Sequence, residues 1–214
     1  MFGSKAKTEM ITKERAMPGR ETNLRVPEMH FVLGKPLIEP FPQNLEKAYF
    51  ALGCFWGAER IFWKLDGIYT TAVGYAGGFT PNPTYEEVCS SKTGHAETVL
   101  VVFDPKKITY RELVSKFFES HDPTQYMRQG NDIGTQYRSA VFVVDNEQRE
   151  VAKEVSAMYQ GLLKQRGFGD LATEIVPFTN FYYAEEYHQQ YLGKHPSGYC
   201  GIGGTGVSCP SGVQ

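Results

Sequence analysis

An α+β fold is predicted for this 214-residue chain. Runs rich in β-branched and aromatic residues alternate with segments of three-and-four apolar spacing, and the interruptions fall at glycine, proline and asparagine. From residue 47 the order of these runs is β-α-β-β-α-β, the split βαβ or ferredoxin-like arrangement: a two-layer α/β sandwich, here with extended ends. A hydrophobic content of 41% with 14% aromatics is enough to bury one core at this length.

Each element has its own signal. Residues 1–44 are rich in Pro, Gly and charge, lack sustained periodicity, and are expected to form an arm that wraps the domain. A strand is predicted at 47–53. It is followed by a helix with Phe55, Ala58, Phe62 and Leu65 on one face, closed by Asp66-Gly67. A second strand at 68–75, a punctuated loop and a short helix at 85–90 lead to 96–103, which is apolar on both faces and therefore central. Thr109 and Glu112 form a capping-box pair that starts a helix running to 121. The loop at 122–136 is too long to be a plain connector. Then come a strand at 138–144, a helix after Asn146 with Val151, Val155, Met158 and Leu162 aligned, an edge strand at 173–177 and a short helix at 184–192. The glycine-rich end is expected to hold no single shape. The resulting division is an arm at 1–44, a catalytic α/β domain at 45–180 and a C-terminal extension at 181–214.

Composition narrows the function. A formal net charge of −2, with basic residues scattered among acids, makes no electrostatic case for nucleic acid or an anionic membrane. No run nears the ~18 apolar residues of a membrane helix, and the first 24 residues lack the apolar stretch of a secretory signal. A cytoplasmic monomer is expected. Four cysteines are too few for a disulfide scaffold, so their thiols are expected to be reduced, catalytic or inert.

The chemistry centres on Gly53-Cys54-Phe55-Trp56-Gly57 at the first strand-to-helix corner. A thiol there faces unpaired amides and the positive end of the macrodipole, which favour the thiolate; the plainer reading is a cysteine packed between strand and helix. Successive Phe55 and Trp56 cannot both face the core, so one or both are candidates to wall an apolar pocket. Glu97 shares a strand face with Val99, Val101 and Phe103, where lost hydration would keep its carboxyl protonated as a donor; the alternative is a strand-end glutamate reaching solvent. His95-Ala96-Glu97 matches half of a zinc-deaminase pattern, but the other half is missing. With the cysteines irregularly spaced, no metal is expected. Cys54 with His95 or His188 could form a cysteine-hydrolase pair, although such an enzyme has no use for Cys200 and Cys209 on a glycine-rich end, whereas thiol-disulfide exchange needs such partners. Cys89 is most simply a packed thiol.

Taken together, these residues resemble the A-type peptide methionine sulfoxide reductases. The resemblance runs from about residue 47 to 210. It rests on Gly53-Cys54-Phe55-Trp56-Gly57, Thr93-Gly94-His95-Ala96-Glu97, Gly130-Asn131-Asp132, Gly134-Thr135-Gln136-Tyr137-Arg138-Ser139, Tyr187-His188-Gln189-Gln190-Tyr191 and Gly198-Tyr199-Cys200-Gly201. It implies reduction of the S epimer of methionine sulfoxide, with Cys54 as nucleophile, Phe55 and Trp56 around the substrate methyl, and Glu97, Tyr85, Asp132 and Tyr137 around the oxygen. It further implies Cys200 as first resolving cysteine, Cys209 as the second found in three-cysteine members, no cofactor, and thioredoxin as reductant. Ile133, Tyr126 and Ser91 depart from the family pattern, the last two standing where glycine is common. The runner-up classes are a cysteine hydrolase and a noncatalytic ferredoxin-like binding module.

Overall fold

The computed structural model describes residues 7–210; the first six residues of the expected arm and the last four of the extension lie outside the described residues. The first ordered strand, β1 (Glu46–Leu52), leads into α1 (Phe55–Trp63) and back through β2 (Ile68–Ala76). After α2 (Tyr85–Cys89), β3 (Ala96–Phe103) lies between β1 and β2 and is antiparallel to both. A second pass, α3 (Tyr110–Ser120), reaches β6 (Ser139–Val143) after a two-residue hairpin, β4 (Arg128–Gln129) and β5 (Asp132–Ile133). The order β6-β1-β3-β2 is two interleaved βαβ units, as the sequence predicts.

Two further strands widen the sheet to six. After α4 (Asn146–Gln165), β7 (Glu174–Pro177) pairs parallel to β6 at the predicted edge. At the other edge β8 (Phe181–Tyr183), a strand too short to show alternation, pairs with Gly74 to Ala76 of β2. Both faces of the sheet are covered. Helices α1, α3 and α4 bury Phe50, Val99, Val101 and Phe103 on one side, while Val26, Phe41, Phe178 and Phe181 pack over Tyr49, Leu100, Val102 and Phe142 on the other. Every residue of β3 is consequently buried.

The arm is tied down rather than trailing. Arg20 makes paired hydrogen bonds to the Glu87 carboxylate at 2.9 and 2.6 Å, and the Thr80 hydroxyl donates to Met17 O at 2.9 Å. Ser91 has φ 61, which accounts for the glycine common at that position: the left-handed region is costly for a residue with a Cβ. Tyr126 and Ile133, the other departures, are surface residues.

The short helix expected at 184–192 is corrected to a run of turns followed by the single helical turn α5 (Tyr191–Lys194). Gln190 is left-handed at φ 49, and the buried side chains of Gln189 and Gln190 bond to other elements instead of facing solvent.

Candidate active site

Cys54 caps α1 at the end of β1 and is 8% exposed. The glycines on either side admit close neighbours. Gly53 has φ +99, and a Cβ there would lie 2.7 Å from the Gln129 side chain, so the 122–136 loop rests on the corner. A Cβ on Gly57 would lie 3.0 Å from Cys200 Sγ and 3.2 Å from Ile202. The thiol of Cys200 therefore sits against the first turn of the helix that Cys54 caps, although 146 positions separate the two cysteines in sequence. All four cysteines are free.

Pairing of Phe50 with Val99 in the antiparallel β1–β3 register brings the start of β3 beside the end of β1. Glu97 is thereby buried under α1, 2% exposed, and its Oε2 accepts the Phe55 N–H at 2.9 Å. Burial raises the Glu97 carboxyl to about 8; the Phe55 amide acts against this and Asp132 adds to it. Glu97 is thus protonated at neutral pH. Because Oε2 is occupied as an acceptor, the proton belongs on Oε1. Tyr85 and Tyr137 are also raised, first by burial and then by Glu97, and Tyr85 hydrogen-bonds to both Tyr137 and Cys89. Asp132 is raised by burial, opposed by a hydrogen bond from Tyr199 that spans 3.3 Å. The four polar residues singled out in the sequence thus form one electrostatically coupled cluster. Asp132 and Tyr137 open with Cys89 onto a cavity of about 650 Å³.

The thiol follows the plainer of its two readings, a cysteine packed between strand and helix. Burial pushes Cys54 up; a negative Glu97 would push it further, while the amides of Trp56 and Gly57 pull the other way. With Glu97 protonated its repulsion is absent, but desolvation still outweighs the helix terminus, and Cys54 rests as a thiol. Phe55, 1% exposed, belongs mainly to the core, so Trp56 offers the more open ring. Its indole N–H donates to His188 Nδ1 at 2.9 Å, and its ring stacks on Tyr191 at 4.0 Å.

The C-terminal segment is docked, which corrects the expectation of a loose end. The Tyr159 hydroxyl donates to Val207 O at 2.9 Å, Val207 is 6% exposed, and the Cys209 amide donates to Glu119 at 2.7 Å. Cys209 thus lies between α3 and α4, on a cavity of about 410 Å³ that Leu65, Ile108 and Met158 also line.

Among the described residues no hydrogen bond joins Cys54 to either histidine, and the rings are engaged elsewhere. His95 Nδ1 accepts from Gly78 N at 3.1 Å and its Nε2 meets Thr80 O at 2.8 Å. His188 Nδ1 accepts from Trp56, which leaves the proton on Nε2, and burial lowers the ring to about 4. Sequence reasoning missed the contact of Cys89 with Tyr85, the link from His188 to Trp56, and Glu59. This last residue was within reach: it falls four positions after Phe55 and three before Phe62, a carboxylate on the inward stripe of α1.

Two reduced sulfurs on one helical turn can give up two electrons by joining, so the fold and this corner define a thiol-dependent oxidoreductase. Residues 46–206 match the family model for peptide methionine sulfoxide reductase. The chain is 56% identical over 214 residues to the peptide methionine sulfoxide reductase MsrA 1 of Synechocystis sp., covering 100% of this chain and 96% of that one. It is 59% identical over 214 residues to the MsrA of Rippkaea orientalis, covering 100% and 99%. The solved methionine sulfoxide reductase A of Corynebacterium diphtheriae superposes with a TM-score of 0.85 at 44% identity, covering 94% of this chain and 98% of that one. The chain belongs to the peptide methionine sulfoxide reductase family, and its activity is the reduction of methionine sulfoxide to methionine. Among the described residues no helix is long and apolar enough to cross a membrane.

Proposed function

We propose that the chain reduces the S epimer of methionine sulfoxide, in proteins and as the free amino acid, at Cys54. The observation that carries this reading is the position of Cys200 Sγ against Gly57, which supplies a second thiol at the turn where the first would be oxidised. Sulfoxide sulfur becomes electrophilic when its oxygen is protonated or strongly hydrogen-bonded, and Glu97, Tyr85 and Tyr137 offer three O–H donors for that oxygen. Asp132 completes the polar set, and Phe55 and Trp56 hold the methyl group.

The step balances. As the sulfur of Cys54 bonds to the substrate, Glu97 gives its proton to the oxygen and the thiol proton of Cys54 passes to Glu97. The oxygen then leaves methionine and remains on Cys54 as sulfenic acid. Methionine has gained two electrons and the cysteine has lost them. Cys200 attacks Cys54, releasing water and forming a disulfide; Cys209 attacks Cys200, frees Cys54 and leaves a Cys200–Cys209 disulfide. An external dithiol protein of the thioredoxin type resets that bond. The protein works as a cytoplasmic monomer in which the arm 1–44 and extension 181–214 serve the catalytic unit 45–180.

Incubation of the protein with dithiothreitol and each sulfoxide epimer of a blocked methionine tests this. Methionine is expected from the S epimer alone, and two thiols should be lost per methionine when reductant is withheld. Product without thiol loss would reject the redox route; product from the R epimer would reject the assigned pocket.

A further inference from the structure

Glu59 lies on α1, three residues after Trp56, and is 0% exposed. A buried carboxyl group demands partners; burial lifts this one to about 7, and three donors from two residues oppose the shift. Oε1 accepts from the Thr71 hydroxyl at 2.9 Å and from Gln190 Nε2 at 2.7 Å; Oε2 accepts from the Gln190 backbone N–H at 2.9 Å. His30 backs this arrangement. Its Nδ1 accepts the Val32 and Leu33 amides at 3.1 and 2.9 Å, so Nε2 carries the proton and donates to Thr71 Oγ1 at 2.9 Å. The Thr71 hydroxyl is then committed to Glu59.

The bonds converge on a residue in a costly conformation. Gln190 is left-handed, at φ 49 and ψ 40, a state that residues with a Cβ seldom adopt without support. Glu59 holds its main chain and its side chain together, and Gln190 Oε1 accepts from Phe31 N at 3.1 Å. The residues flanking Gln190 are those that meet the indole: His188 accepts from Trp56 Nε1, and Tyr191 stacks on it.

We propose that Glu59 is a positioning residue for the substrate pocket: its carboxylate fixes the left-handed turn at Gln190, and that turn sets the Trp56 ring through His188 and Tyr191. The proposal rests on the reading of Trp56 as the methyl-pocket wall. Glu59 acts on binding and not on the sulfur chemistry, so its loss raises KM and spares kcat.

The test compares Glu59→Ala, Trp56→Ala and the double variant, with the S epimer of blocked methionine sulfoxide and dithiothreitol. Glu59→Ala should raise KM about tenfold, the scale of one well-placed aromatic contact, with kcat within a factor of about three. Because Glu59 works through Trp56, the double variant should be no worse than Trp56→Ala alone. A merely structural role would reduce the folded fraction, read as thiols titrated per chain, and leave KM unchanged. Should Glu59→Ala fail to fold, Gln190→Ala and Glu59→Gln carry the same comparison; the amide of the latter keeps one acceptor and presents a donor to the Gln190 N–H, so its KM should rise less. An unchanged KM in these variants while Trp56→Ala raises it, or multiplied effects in the double variant, would overturn the proposal. An unchanged KM in Trp56→Ala would instead remove the pocket reading, and this proposal with it.

Discussion

Raising the pH from 7 to 9 should slow the first chemical step about tenfold, through Glu97. Its carboxyl titrates near 8 because burial disfavours the charge. The acid form exists below that value and is lost as pH rises through it, so the protonated fraction falls from about nine-tenths at pH 7 to about one-tenth at pH 9. A glutamate with the ordinary value near 4.3 would be protonated in only about one molecule in 500 at pH 7. At saturating sulfoxide the neighbours do not blur the limb: Glu59, raised by burial to about 7, bears on KM. Burial holds Tyr85, Tyr137 and Cys54 above their usual ranges, and His188, lowered to about 4, is neutral throughout. The assay is rapid quenching of a single turnover without reductant from pH 6.5 to 9.5, counting both thiols and methionine. Glu97→Gln cannot ionise and should show no limb, at a rate lower by about 10²-fold, the scale of a positioned general acid. A rate that climbs through pH 8 would show that a preformed Cys54 thiolate reacts without the Glu97 proton, and a limb that persists in Glu97→Gln would assign the titration elsewhere. Either result refutes the reasoning.

Cys54→Ser should form no methionine, whereas Cys200→Ser should complete one turnover and stop with a sulfenic acid that dimedone traps, as mass spectrometry of the modified peptide would show. Gly57→Ala places a Cβ 3.0 Å from Cys200 Sγ and 3.2 Å from Ile202; it should slow disulfide formation while the first methionine appears at the wild-type rate, by quenched-flow alkylation. Tyr159→Phe removes the bond to Val207 O, worth about 1 kcal/mol, and should speed formation of the Cys200–Cys209 disulfide about fivefold; an unaltered rate would mean that tail release does not limit that exchange.

The core was legible because each element announces itself locally. Residues 99–103 are apolar without interruption, and a strand covered on both faces needs that pattern; Thr109 and Glu112 fix a helix start within four residues, and the reciprocal bonds are present. Glu97 was legible for the same reason, being a carboxylate on the buried face of that strand. What escaped was set by distant partners. Phe181 to Tyr183 are strand-favouring aromatics, but three residues are too few to show alternation, and pairing with the exposed edge of β2 makes them a strand. Gln190 interrupts a helical pattern because Glu59, 131 positions away, binds its amide. The glycines of the tail were read as freedom, whereas a Cβ at Gly204 would lie 2.0 Å from Glu119 O, so one of them permits docking. Of the two readings that the sequence leaves open for Cys54, a thiolate at a helix start or a packed thiol, burial favours the second, because a helix terminus is visible in sequence and the depth of burial is not.

Under the proposed chemistry, docking of the tail at two places would order the two disulfide exchanges. Cys200 already rests on α1 against Gly57, with Tyr199 held by Asp132, so the first disulfide needs little rearrangement. Cys209 is held between α3 and α4 by the buried Val207 side chain and by the bonds from Tyr159 and to Glu119. One buried valine contributes roughly 1.5–3 kcal/mol and each hydrogen bond about 1 kcal/mol, so releasing this segment costs on the order of 4 kcal/mol. At that cost the tail is free in about one molecule in a thousand. Under the proposed chemistry, a reduced tail docked in this way would keep Cys209 from competing with Cys200 for a sulfenic acid on Cys54. The second exchange would then proceed at the rate of release, which would place the step that regenerates Cys54 under the control of α3–α4 contacts remote from the sulfoxide.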